Sequence, residues 1–76
     1  MREKLSDISA HVKLKRKQNN LTQPELALKA GVGLRFIRDM EQGKQSLRMD
    51  KVNEVLRLFG ETLGPIPIDR NKLIKE

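Results

Sequence analysis

LTQPELALKAGVGLRFIRDMEQGK, residues 21–44, sets two short apolar-periodic runs on either side of GVG. In the first run Thr22 stands three residues before Glu25, the spacing at which a hydroxyl caps a helix and a glutamate returns the hydrogen bond. Pro24 falls in the first turn, where its missing N–H costs little. That helix runs through Leu26, Ala27 and Ala30 to Gly31. A further helix starts after Gly33, carries Ile37 and Met40 inward and stops at Gly43 as a left-handed cap.

Counted from Gln23, the fifth residue is Ala27, the ninth Gly31, the fifteenth Ile37 and the eighteenth Met40. Two helices that cross steeply need a small side chain at their closest approach, which Ala27 supplies, and a residue that accepts positive φ in the turn, which Gly31 supplies. Ile37 and Met40, one turn apart, fasten the second helix to a core. Four positions that match together are the helix-turn-helix pattern; a generic αα-hairpin is the alternative.

Outside this stretch, LSDISAHVKLKRKQ brings Leu5, Ile8, Val12 and Arg16 near one helix face, with Ser6 or Asp7 as cap and Asn19–Asn20 as breaker. From about Leu47 to Phe59, Val52, Val55, Leu56 and Phe59 form a core stripe that Gly60 ends. ETLGPIPIDR follows as a candidate strand, and NKLIKE is a polar tail expected to be flexible. The expected architecture is all-α, with four to five helices over residues 1–60, a strand at 61–69 and a tail at 70–76.

A chain of 76 residues holds one small domain whose core is marginal alone. Its 37% apolar and 34% charged residues exclude wholesale disorder. A net charge of +6 favours a polyanionic partner. The absence of cysteine removes a disulfide framework and thiolate metal ligation. No apolar run is long enough for a signal peptide or a membrane span, so a cytoplasmic protein with no membrane partner is expected.

Residues 6–60 resemble the lambda-repressor-like helix-turn-helix domain of the Cro and XRE class, through L-T-Q-x-E-L-A-x-x-A-G-V followed by I-x-x-x-E-x-G-K. More narrowly, AGVGLRFIRDMEQGK, LRMDKVNEVLRLFG and the following L-G-P are similar to small HipB-like antitoxin regulators. The resemblance implies a dimeric repressor that reads a palindromic operator with its third helix in the major groove. It also implies repression of its own operon and binding of a kinase-like toxin of the HipA type encoded beside it. A phage- or plasmid-type repressor without a toxin and a protein-interaction adaptor that has lost DNA binding are the alternatives.

Family positions and side-chain chemistry together give the candidate site. Bases are expected at Leu34, Arg35 and Asp39, the first for a thymine methyl and the second for the O6 and N7 edge of guanine. Asp39 departs from the usual neutral or basic choice; it either accepts from cytosine N4 or orients an arginine. Phosphate contacts are expected from Gln23 at a helix start, from Arg38 and half-buried Phe36, and from Lys44, Gln45 and Ser46 beyond the third helix. The family pairs an arginine at the place of Arg16 with the glutamate matching Glu41, which implies an internal ion pair. Lys13, Lys15 and Lys17 either extend the DNA-facing patch or merely solubilise the helix. Leu14 is either an isolated exposed leucine or part of a partner surface.

An enzyme is not expected. His11 is the only histidine and has no second ligand at metal spacing, so neither a metal nor a cofactor is expected. The acidic residues Glu25, Asp39, Glu41 and Asp50 are spread over three helices, and GVG is too short for a phosphate loop.

In LGPIPI, Pro65 and Pro67 blank one strand edge while Gly64, Ile66 and Ile68 leave the other able to donate. With no second strand candidate in the chain, the partner strand is expected from another copy, with Leu63, Ile66 and Ile68 forming the contact of a homodimer.

Overall fold

The computed structural model describes residues 7–68. The expectations for Leu5, Ser6 and the 70–76 tail lie outside the described residues. Among the described residues there are four helices: α1 (Asp7–Gln18), α2 (Gln23–Ala30), α3 (Leu34–Glu41) and α4 (Met49–Leu58).

Local chemistry sets most of the boundaries. Asn19 and Asn20 close α1: Asn20 adopts φ 57° and the Leu21 N–H returns to the Arg16 carbonyl at 3.0 Å. Asparagine tolerates this left-handed conformation better than most side chains. Thr22 caps α2 reciprocally, its hydroxyl accepting from the Glu25 N–H at 3.2 Å while the Glu25 carboxylate accepts from the Thr22 N–H at 2.8 Å. Gly31 ends α2 at φ 77°, so that its own N–H and that of Val32 both reach the Ala27 carbonyl at 3.0 Å. The turn that joins α2 to α3 depends on this glycine. Gly43 (φ 89°) and Gly60 (φ 77°) follow α3 and α4.

Helix α4 starts two residues later than its apolar spacing indicates. Arg48 is extended, with ψ 125°, and serves as its N-cap, while Leu47 packs partly buried against the core from the loop. An apolar side chain can reach the core without being helical, so periodicity overshoots a helix start that has no capping side chain.

The core is Val12, Leu26, Ala27, Ile37, Met40, Val52, Val55 and Leu56. Helix α3 packs on both α1 and α2, and α2 also packs on α4. One face of α3 is thereby locked inside and the opposite face left to solvent. The strand is expected to pair only with another copy, and within this single chain residues 61–68 carry no regular secondary structure, residue 69 lying outside the described residues.

Candidate nucleic-acid interface

The site begins with how α3 is held. Ile37 and Met40 are fully buried, and the Glu41 carboxylate beside them takes hydrogen bonds from Arg16 Nε (2.7 Å), Arg16 Nη2 (3.0 Å) and Gln23 Nε2 (3.1 Å). Arg16 Nη1 donates to the Leu21 carbonyl at 2.9 Å, and the Ser9 hydroxyl donates to the Glu41 carbonyl at 2.6 Å. These bonds tie α1, the α1–α2 turn and the start of α2 to the end of α3. Burial alone would push the Glu41 carboxyl up, but the hydrogen bonds from Arg16 and Gln23, with the charges of Arg16 and Lys13, hold it below the ordinary carboxylate range. The same hydrogen bond pushes the Arg16 guanidinium up, so both partners stay ionised.

Solvent meets a different set of residues. The Arg35 side chain is 86% exposed, Arg38 is exposed, and Asp39 lies half-buried between the N-terminal part of α3 and the loop that follows it. Asp39 Oδ1 is 3.5 Å from Arg35 Nε and Oδ2 is 3.7 Å from Lys44 Nζ. The Lys44 N–H donates to the Asp39 carbonyl at 3.0 Å, which fixes this loop against the helix. Arg35, Asp39, Lys44, Ser46, Arg48 and Lys51 line one shallow concavity that runs from the outer face of α3 to the start of α4. A predominantly cationic concavity beside an exposed helix face is suited to a nucleic-acid backbone.

The expected DNA-contacting residues do not all meet on one surface. Arg35, Asp39, Lys44 and Ser46 come together; exposed Arg38 and Gln45 flank them on the same helix and loop. Phe36 lines the same concavity and is partly buried against the core, as expected. Leu34 does not point outward with Arg35: it is half-buried and packs against the core. At the first position of α3 its side chain leans back toward the preceding turn, which is how helical side chains are directed. Gln23 spends one amide hydrogen on Glu41, leaving its second amide hydrogen and its own backbone N–H for an anion.

Sequence reasoning missed Arg48 and Lys51, which join the concavity only because the loop after α3 folds back. It also missed Asn53, whose Oδ1 accepts from the Leu63 N–H (2.8 Å) and the Thr62 hydroxyl (3.2 Å), anchoring the C-terminal segment to α4. A polar, weakly helix-forming asparagine at the edge of the apolar stripe of α4 was the available signal. Lys15 leaves the basic cluster to pair with Glu61 at 3.7 Å, and His11 Nε2 meets the same carboxylate at 2.7 Å. The hydrogen bond from His11 holds the Glu61 carboxyl below its ordinary range. Lys13 and Lys17 are exposed, as is Leu14 at 54%. Among the described residues no group of His, Cys, Asp or Glu could hold a metal ion, and no helix is long and apolar enough to cross a membrane.

Helix α3 is pinned through Ile37, Met40 and Glu41 and leaves arginines on its free face, and the helix-turn-helix family profile HTH_3 matches residues 12–66. The chain belongs to the helix-turn-helix family. It is 53% identical over 68 residues to an uncharacterized HTH-type transcriptional regulator, y4mF, of Sinorhizobium fredii, covering 88% of this chain and 90% of that one. In structure, this helix-turn-helix chain is similar to a toxin-antitoxin module from Streptococcus pneumoniae, with a TM-score of 0.68 and 32% sequence identity over 82% of this chain and 68% of that chain.

Proposed function

We propose that this protein is a sequence-specific DNA-binding transcriptional repressor that acts as a homodimer and serves as the antitoxin of a kinase-like toxin. The observation that carries the DNA-binding reading is the outer face of α3, where Arg35 and Arg38 stand free of the core beside the concavity of Lys44, Arg48 and Lys51. Arg35 reads a guanine edge; Arg38, Lys44 and the 45–46 loop engage phosphates, with Gln23 contributing from the start of α2. The regulator named among its relatives supports transcription as the process, and the toxin-antitoxin module supports the antitoxin role.

Dimerisation is assigned to residues 63–68. Ile66 is 77% and Ile68 is 68% exposed, and they continue from an apolar groove lined by Met49, Leu63 and Pro65. Leu63 docks on its own domain, its N–H already donated to Asn53, so the edge left for a partner strand is that of Gly64, Ile66 and Ile68. A two-stranded antiparallel ribbon across a two-fold axis covers these isoleucines and sets the two reading helices about 34 Å apart, one DNA turn.

Selection from a random duplex library tests the reading directly. The expected result is a palindromic motif protected by the dimer; enrichment of no motif would overturn specific recognition. Co-expression with the adjacent reading frame should recover a stable complex with a kinase-like protein, and recovery of the regulator alone would leave a repressor without a toxin.

A further inference from the structure

Helix α3 carries two carboxylates with opposite surroundings. Glu41 is buried in its ion pair, whereas Asp39 opens onto the face that meets DNA. An anion there is unfavourable twice over: it faces phosphates, and it lies toward the C-terminal end of the helix, where the dipole favours cations. Yet each of its oxygens is directed at a cation of the interface, Oδ1 at Arg35 Nε and Oδ2 at Lys44 Nζ.

The atom engaged on Arg35 matters. Asp39 faces Nε, which leaves the two terminal nitrogens of the guanidinium able to form the paired contact to guanine O6 and N7. The carboxylate also offsets one positive charge of the interface. That offset weakens the attraction of Arg35 and Lys44 for any phosphate, whereas the neutral guanine edge is bound through the directed pair of terminal nitrogens and loses less by it. A bias of the exposed arginine toward one arrangement, given by the 3.5 Å ion pair, lowers the ordering cost of the base contact.

We propose that Asp39 is a specificity-determining positioning residue: through its ion pairs with Arg35 at Nε and Lys44 at Nζ, it weakens binding to arbitrary DNA and biases the arginine fork toward a guanine edge. This rests on the DNA-reading function proposed above. It makes Asp39 a residue that acts through Arg35 and Lys44 instead of accepting a cytosine amine itself.

The test compares the full-length protein and Asp39→Asn on two duplexes, one isolated from a random library by the wild type and one of shuffled sequence with the same composition, across a salt series. In the variant, affinity for the shuffled duplex should rise about 3- to 10-fold as the interface gains net charge. The slope of log affinity against log salt should steepen by up to about 0.9, one further phosphate contact. The ratio of the two affinities should fall, and Asp39→Glu, which keeps the charge, should recover most of the wild-type ratio. A purely structural role would lower both affinities together and leave the salt slope alone. Unchanged shuffled-duplex binding in Asp39→Asn overturns the proposal, as does a loss confined to duplexes with cytosine at one position. If the wild type itself isolates no duplex, the DNA-reading function falls and this proposal with it; if it isolates one and the variant behaves identically, this proposal alone falls.

Discussion

Arg16 and Glu41, 25 residues apart in the chain, meet through two hydrogen bonds, Nε to Oε2 at 2.7 Å and Nη2 to Oε1 at 3.0 Å, with only 13% and 2% of their side chains exposed. Removing one partner strands the other as a desolvated charge. Arg16→Ala and Glu41→Ala should each cost about 3–5 kcal/mol, whereas Arg16→Met with Glu41→Leu should be milder. Denaturant melts of the three variants check this, and single variants as stable as the wild type would contradict it.

The same pair sets the acid limit of the fold. The Glu41 carboxyl titrates lower in the folded protein than in the unfolded chain, so its contribution is present above the unfolded value of about 4.3 and is lost as pH falls toward and through the lower folded value. Glu25, Asp50 and Glu61 are lowered as well, so stability should decline below about pH 4 through several groups. Thermal melts over pH 2–7 should show a shallower acid decline for Glu41→Gln than for the wild type, from a lower plateau. Parallel curves would remove Glu41 from the acid response.

Recognition should separate along the α3 surface. Arg35→Ala is expected to cost about 1–3 kcal/mol on the selected operator and little on shuffled DNA. Lys44→Ala should weaken all duplexes alike and flatten the salt dependence. Fluorescence anisotropy titrations at several salt concentrations distinguish the two; equal losses for Arg35→Ala on both duplexes would reassign it to the phosphates.

Truncation after Gly60 would remove the proposed dimer segment, but it would also delete the Glu61 contacts with His11 and Lys15 and the Leu63 anchor on Asn53. The cleaner variant is Ile66→Asp with Ile68→Asp, which leaves those anchors in place. Sedimentation should find a monomer with a melting temperature measured at low concentration close to wild type, and operator affinity should collapse because each half-site is then bound alone. A variant that stays dimeric would assign the dimer contact elsewhere.

Much of this protein was legible from local chemistry. Thr22 with Glu25, Gly31 and Gly43 act within a few residues of themselves, so the ends of α2 and α3 could be read before any contact was known. Ile37 and Met40 announced the buried face of α3 by their one-turn spacing, and Arg35 with Arg38 announced its free face. The Arg16–Glu41 pair came from family likeness, since nothing in a linear spacing of 25 residues says that two charges meet. Tertiary packing alone decided the remainder. Leu34 turned inward, Gln23 joined the buried network, Asn53 captured the backbone of Leu63, and Arg48 and Lys51 closed the concavity around Lys44. Each depends on how α3, α4 and the loop between them are angled. Helix ends are fixed by hydrogen bonds between near neighbours in the chain, whereas a site is assembled from side chains whose separation is set only when the core closes.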